Sequence, residues 1–278
     1  MAVKIVTDST ADLPLSITAE LGIAVVPLTV HFGEEEFRDG VDITAAQFMQ
    51  RLTTSAVHPR TSQPSPEAFK EVYSSILAAE DEVVSIHISS KLSGTMNSAL
   101  LARQQVGAGD KITVIDSRWA TMAQGLVVIN AAKAANEGGS GQAVAATAQE
   151  VMDHLHLLFF CDTLEYLQRG GRIGRAQAFM GGLLNIKPIL GVRDGEVHPV
   201  ERVRTRSRAL ERVRELAVSF GDAREFCVLH TSSQQDAQSL RDFLTEKYPQ
   251  ATSYFGELGP VIATHVGPGV VGVAVRTG

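Results

Sequence analysis

Scarcity is informative in this chain. Of 278 residues only 2 are cysteine and 1 is tryptophan, and aromatics make up 6%. Cys161 and Cys227 stand far apart in apolar runs. That placement fits buried free thiols in a reducing compartment and argues against a disulfide scaffold or a thiolate metal site. Positive charge is not in excess: 25 Lys and Arg face 31 Asp and Glu, a net charge of −6. Nucleic acid is therefore not expected as the main partner. No apolar run approaches the length needed to cross a bilayer, so stable membrane insertion is not expected. Met1-Ala2-Val3-Lys4-Ile5-Val6-Thr7-Asp8 reads as a strand followed by polar residues rather than a signal peptide, and a cytoplasmic location is expected. A Walker loop, an H-E-x-x-H helix and paired-cysteine zinc spacing are all missing. Neither a metal nor a cofactor is expected.

What remains is an ordinary globular composition, 44% apolar and 20% charged. The length exceeds a comfortable single core and suggests two domains, with one large α/β domain as the alternative. Residues 3–8 read as a buried strand, and Ala11-Asp12-Leu13-Pro14 opens a helix. A strand over 23–32 and a short hairpin arm at 37–39 follow. Thr44 and Ser65 cap helices running to 52 and 79. Strands at 83–89 and 111–117 then alternate with helices from Thr95 and over 121–136, and a further helix over 142–154 closes the first unit. This alternation implies a parallel sheet covered on both faces. After a strand at 155–162 the character changes. Asp194-Gly195, between strands at 186–194 and 196–204, is a hairpin signal. Helices at 206–219 and 234–248 alternate with strands near 226–231, 252–257, 261–266 and 270–276. The expected fold class is α/β in two domains. Residues 1–155 form an N-terminal parallel-sheet domain, residues 156–278 an α+β domain with a mostly antiparallel or mixed sheet, and a ligand sits between them.

The segment Ser89-Ser90-Lys91-Leu92-Ser93-Gly94-Thr95 follows an apolar strand and runs into a helix. A helix start carries unpaired N–H groups that favour an anionic oxygen, and Ser93 and Thr95 add hydroxyl donors. The segment reads as a small anion cradle. Thr7-Asp8-Ser9-Thr10-Ala11-Asp12 lies at a strand end, where ligands of open sheets collect, although helix capping accounts for Asp12 equally well. Arg60-Thr61-Ser62-Gln63-Pro64-Ser65-Pro66 reads as a loop stiffened by its prolines, presenting Thr61, Ser62 and Gln63. Gly267-Pro268-Gly269-Val270-Val271-Gly272 matches G-x-G-x-x-G, yet the residues after it have a strand pattern. A dinucleotide fingerprint must open a helix, so a tight turn between two strands is expected instead. His265, at a strand end, is the stronger functional candidate there.

Two further stretches stand out. Between Glu165 and Glu215 eleven basic residues outnumber six acidic ones. Such a stretch is either a solvated helix face or a docking surface for an acidic partner. Phe179-Met180-Gly181-Gly182-Leu183-Leu184-Asn185-Ile186 is apolar and adaptable. It would pack in a core or line a tunnel for an alkyl chain.

Seven segments, taken in order, resemble the DegV family of fatty-acid-binding proteins. They are Val6-Thr7-Asp8-Ser9-Thr10-Ala11-Asp12-Leu13-Pro14, Thr61-Ser62-Gln63-Pro64-Ser65, Ser89-Ser90-Lys91-Leu92-Ser93-Gly94-Thr95, Asp162-Thr163-Leu164-Glu165-Tyr166-Leu167, Gly170-Gly171-Arg172-Ile173, Asn185-Ile186-Lys187-Pro188-Ile189-Leu190 and His265-Val266-Gly267-Pro268-Gly269. One departure is visible: after Asp116-Ser117 the family usually has a serine and a glycine-rich helix start, where this chain has Thr121, Met122 and Ala123. The resemblance implies two α/β domains with a long-chain fatty acid between them. Thr61 and Ser93 would bind its carboxylate, with Ser62, Gly94 and His265 completing the network. Phe179, Met180, Leu183 and Ile186 are the candidates for lining the acyl chain. The family's role implies no catalytic residue in this chain. It would present the carboxylate to a separate ATP-dependent fatty acid kinase subunit, giving acyl phosphate for phospholipid synthesis. Arg169, Arg172, Arg202 and Arg204 are candidates for docking that subunit. The alternative is a serine hydrolase or acyltransferase using Ser93, His265 and Asp8 or Asp116, although the nucleophile elbow G-x-S-x-G is absent.

Overall fold

The computed structural model describes residues 2–79, 81–180 and 186–278. From the N-terminus run β1 (Val3–Asp8), α1 (Leu15–Leu21), β2 (Ala24–Val26), β3 (Thr29–Phe32), β4 (Glu35–Arg38), α2 (Ala45–Thr54), β5 (Arg60–Ser62) and α3 (Pro66–Leu77). They are followed by β6 (Glu82–His87), α4 (Thr95–Val106), β7 (Ile112–Asp116), α5 (Thr121–Asn136) and α6 (Gly141–Asp153). The second half holds β8 (Leu155–Phe160), α7 (Glu165–Arg169), β9 (Lys187–Arg193), β10 (Glu196–Val203), α8 (Arg206–Ser219) and β11 (Ala223–His230). It ends with α9 (Gln234–Lys247), β12 (Thr252–Glu257), α10 (Pro260–Val266) and β13 (Val271–Thr277).

The strands form three sheets. β2-β1-β6-β7 is wholly parallel, as expected for strands joined through helices. β10-β9-β8-β13-β11-β12 is antiparallel except for the parallel pair β11–β12. β4-β3-β5 is a small antiparallel sheet. The fold is thus α/β, with a parallel-sheet N-terminal part and a mixed-sheet C-terminal part. Helix starts follow their capping chemistry. Thr44 forms a reciprocal capping box with Gln47, and Ser65, Ser140 and Thr205 each accept a backbone N–H at the start of α3, α6 and α8.

Helix α5 is the centre of the molecule. It packs on β1 and β6 of the parallel sheet and on β8, β11 and β13 of the mixed one. Covered on both sides, the helix buries most of its residues from Thr121 to Ala135, the polar Gln124 among them, and leaves Lys133 exposed. Gly125 permits the approach: a Cβ there would fall 2.8 Å from the Ala11 carbonyl oxygen. One apolar cluster consequently joins Ile5 and Val84 of the first sheet, Leu126 and Ile129 of α5, and Leu157 and Leu229 of the second. The outer faces have their own cores, under α3 and α4 on one side and under α8 and α9 on the other.

Three expectations are corrected. The strand at 23–32 is broken: β2 joins the parallel sheet and β3 the small one. Pro27 between them has no N–H, and the Leu28 N–H goes to Ser9 Oγ (3.0 Å) instead of a ladder. Residues 60–62 are not a loop but β5, paired with β3. The strand expected at 261–266 is helix α10, opened by Pro260. A short apolar run does not distinguish buried helix from buried strand, and the Gly259-Pro260 start was the signal to weigh. Residues 267–269 therefore turn from a helix, not a strand, into β13.

Candidate ligand site

Where α10, the small sheet, the start of α4 and the mixed sheet meet, the structure leaves a cavity with about 850 Å³ of empty space, its mouth included. Among its described wall residues only Thr61, Ser93, Thr121, Arg172 and His265 carry polar side chains. The rest of the wall is apolar, including Leu28, Ile88 and Leu92 from the N-terminal part, Leu157, Phe159, Val192 and Leu229 from the mixed sheet, and Val261, Ile262 and Val266 from α10.

Each polar group has a local cause. The loop after β6 folds back on itself, with the Leu92 and Ser93 N–H groups donating to the Ser89 carbonyl (2.9 and 3.1 Å). Ser89 Oγ reaches across to the Gly195 carbonyl (2.6 Å), anchoring the loop to the β9–β10 hairpin. Ser93 Oγ then lies 2.8 Å from Thr95 Oγ1 and 3.3 Å from the Thr95 N–H at the start of α4. Strand alternation in β5 turns Thr61 inward, where Oγ1 is 2.9 Å from His265 Nε2. His265 sits in the last turn of α10. Gly267, at φ 74°, ends that helix, and a Cβ there would strike the Tyr166 ring at 2.2 Å.

The opposite end of α10 is fastened by carboxylates from the N-terminal part. Asp12 Oδ1 accepts from the Gly259 N–H (3.1 Å), and Thr121 Oγ1 donates to Asp12 Oδ2 (2.6 Å). Asp39 accepts from Ser9 Oγ (2.7 Å) and from the Val261 N–H. Burial raises Asp39 to about 6 and pushes Asp12 well above the usual carboxylate range, the Thr121 hydrogen bond only partly opposing it.

His265 is held in its neutral form. Burial, then the neighbouring Arg172 guanidinium and His58, bring it down to about 4. Its Nδ1 is buried without a hydrogen-bond partner and abuts Gly170, where a Cβ would fall 2.1 Å away. Arg172 spans the mouth, donating from Nε to the Leu92 carbonyl (3.0 Å) and from Nη1 to the Gly170 carbonyl (2.6 Å). The result is a mouth of hydroxyls, a neutral imidazole and one guanidinium above an apolar interior. That arrangement suits an amphiphile with a small anionic head.

The structure brings Thr61, Ser93 and His265 into one cavity wall and adds Arg172, which sequence reasoning had set among the docking residues. Ser62 faces the other way, its Oγ 2.9 Å from His31 Nε2. Gly94 lies against the Gln63 amide, where a Cβ would come within 2.0 Å of Oε1. Gln63 in turn donates to Ser98 Oγ (3.1 Å). Phe179 packs beside the core with the Arg202 guanidinium 4.8 Å from its ring centre, Met180 is exposed and Ile186 is partly buried. None of these three is in the cavity wall, and Leu183 lies outside the described residues. Arg169 pairs with Glu165, and Arg204 is exposed. The apolar wall went unread in the sequence because its residues come from many separate elements. Alternation within β8 exposes Leu157 and Phe159 as one face, but nothing local says that this face borders a cavity.

A hydrolytic triad finds no support in these contacts. Asp8 is committed to His87 Nδ1 (3.0 Å) and the Ile88 N–H (3.0 Å), and Asp116 to Ser90 and the Arg118 N–H. His265 thus has no carboxylate to orient it. Among the described residues no group of three His, Cys, Asp or Glu is placed to hold a metal, and no helix is long and apolar enough to cross a membrane. Cys161 and Cys227 are free and buried, and burial pushes the Cys161 thiol up to about 12.

A two-part α/β chain closing an apolar cavity under a polar mouth is the architecture of a binding protein for a small amphiphile. The sequence model of the DegV family (described as "Uncharacterised protein, DegV family") matches residues 2–277, and the chain belongs to that family. A DegV domain-containing protein of Deinococcus radiodurans is 40% identical over 280 residues, covering 99% of both chains. Among solved structures, a DegV family protein from Thermus thermophilus, described for its fatty acid binding, superposes with a TM-score of 0.93 at 38% identity, covering 100% of each chain. DegV of Bacillus subtilis, described as a fatty acid binding protein, superposes with a TM-score of 0.90 at 34% identity, again over 100% of each.

Proposed function

We propose that this protein binds a long-chain fatty acid, with the tail in the apolar cavity and the carboxylate at Thr61, Ser93, His265 and Arg172. One observation carries the reading: a largely apolar cavity has its polar wall atoms concentrated in a few side chains, three of them joined or adjacent at the mouth. Each buried methylene is worth about 0.8 kcal/mol, so the tail supplies most of the affinity. The head is then held by direction. A neutral His265 with its proton on Nε2 donates to Thr61 Oγ1, which frees the Thr61 hydroxyl proton for a carboxylate oxygen. Ser93 offers a second hydroxyl. Two of the solved relatives named above are described as binding fatty acids, which supports the same ligand class.

The chain acts as a carrier without catalysis of its own. It presents the carboxylate to a separate ATP-dependent fatty acid kinase subunit, and the acyl phosphate formed feeds phospholipid synthesis. Arg169, Arg202 and Arg204, all exposed, are the docking residues of this proposal. A reducing, cytoplasmic location suits the two unpaired thiols.

Native mass spectrometry of the purified protein tests the ligand class. The expected spectrum carries an extra mass equal to a fatty acid, which added hexadecanoate displaces. A ligand-free mass that added hexadecanoate leaves unchanged would sink the proposal.

A further inference from the structure

Strands β10 and β12 are the two edges of the mixed sheet, and they are protected very differently. β10 carries Pro199, and its register with β9 shifts between Pro199 and Glu201. A proline and a bulge both hinder a second chain from adding to an edge. β12 has neither, and its six residues keep unbroken register with β11. Among the described residues, the backbone of Thr252–Glu257 makes no hydrogen bond except to β11. The groups turned away from β11 form a row of open donors and acceptors.

That edge borders a groove with about 1450 Å³ of empty space, its opening included. Phe255, Gly256 and Glu257 all line it. Consecutive strand residues face opposite sides, so a groove touching all three meets β12 along its edge. Leu15 at the start of α1, Val25 of the edge strand β2 and Val41 also line it, and they are 80%, 39% and 59% exposed. Large apolar side chains left in water around one concave surface mark an interaction site. The charge there has one sign. The ionisable wall residues are Asp8, Asp12, Asp39 and Glu257, and no described wall residue is cationic. Asp12 and Asp39 are bonded to neutral donors (Thr121 and the Gly259 N–H, Ser9 and the Val261 N–H), so the groove keeps its negative potential.

We propose that this groove docks an extended segment of a partner protein that alternates apolar with basic side chains and adds as a strand to the open edge of β12. Main-chain hydrogen bonds to β12 would hold the segment, its apolar side chains would cover Leu15, Val25 and Val41, and its Lys or Arg side chains would meet the carboxylates. The groove shares no described wall residue with the acyl cavity, so this docking does not depend on the fatty-acid reading.

The probe is a labelled, end-blocked octapeptide of alternating lysine and valine, titrated with the full chain by fluorescence anisotropy at about 0.15 M salt. Saturable binding is expected, and the matching glutamate–valine peptide should not bind. Leu15→Glu with Val41→Glu should weaken binding about tenfold or more. Both positions are on the surface and outside the acyl cavity, so an unchanged hexadecanoate affinity shows that the variant is folded. Simple attraction of a cationic peptide to an acidic protein would respond the other way, because the variant is more negative. Binding that strengthens or stays equal would therefore overturn the proposal, as would no binding to wild type. Hydrogen exchange reads the edge itself: amides of Thr252–Glu257 should gain protection with the peptide bound, and unchanged exchange there would overturn strand addition.

Discussion

Two histidines, 178 positions apart, head two polar clusters of opposite character. Around His87 every polar atom has a partner. Tyr73 Oη donates to Ser85 Oγ (2.8 Å), Ser85 Oγ meets His87 Nε2 (2.7 Å), and His87 Nδ1 meets Asp8 Oδ2 (3.0 Å). Gln124 closes the other side, donating to Thr7 Oγ1 (3.1 Å) and Asp8 Oδ2 (3.2 Å). Tyr73, Asp8, Ser85 and His87 are all fully buried, and burial pushes the Tyr73 hydroxyl up to about 12. The connectivity is that of a catalytic triad, but no substrate can reach it. Around His265 partners run short: Nδ1 has none, a guanidinium stands close, and the wall opens on a cavity. A saturated network holds a fold together. An unsaturated one beside empty space is available to a ligand.

Asp8→Ala should break the first cluster most severely. It strands His87 Nδ1, the Ile88 N–H and Gln124 in the core, and should cost about 3–5 kcal/mol in denaturant unfolding. A loss below about 1 kcal/mol would erase the distinction drawn here. The double variant Thr61→Ala, Ser93→Ala should do the reverse. Its stability should stay within about 1 kcal/mol of wild type, while titration with hexadecanoate shows affinity lower by about tenfold or more. Unchanged affinity and unchanged phosphorylation would remove the carboxylate assignment.

A smaller effect separates holding the ligand from presenting it. Arg202→Glu with Arg204→Glu should leave hexadecanoate affinity within about twofold, but slow phosphorylation by the proposed kinase subunit about tenfold at low salt. A rate equal to wild type would move the docking surface elsewhere. The smallest expected signal is in the pH dependence of stability. His265 falls from 6.5 to about 4 on folding, so the unfolded chain binds more protons and stability declines as pH drops from 6.5 towards 4. Asp39 rises from 3.8 to about 6, so the folded chain binds more protons and stability declines as pH climbs between those values. His265→Asn and Asp39→Asn should therefore change the slope of unfolding free energy against pH in opposite senses. The same sense for both would show that the two groups do not titrate as their surroundings dictate.

Much of this was legible in the chain, and the misses have common causes. α5, α8 and β12 have the residue ranges read from periodicity and caps, because amphipathic patterning and cap chemistry act within a few residues. The broken strand at 23–32 and helix α10 were misread where a short apolar run had to be assigned without knowing its neighbours. Of the carboxylate residues that the family resemblance implies, Thr61, Ser93 and His265 line the cavity and Ser62 and Gly94 do not. A strand turns alternate residues to opposite faces, so Ser62 points away from the side that Thr61 occupies. Arg172 was seen as a charge but not as a wall.

By itself, the sequence determined the local preferences: which segments coil, which extend, where hydroxyls cap a helix start, and that no excess of cationic charge is present. It also carried the ordered motifs that mark a DegV protein. Tertiary structure alone decided that Thr61 and His265, 204 positions apart, share a hydrogen bond. It alone brought Gly272 into a cavity wall beside Leu229 and Phe159, through their register. The reason is physical. Caps and periodicity depend on groups within one or two turns, while a cavity is empty space that exists only once distant elements have packed and failed to fill it.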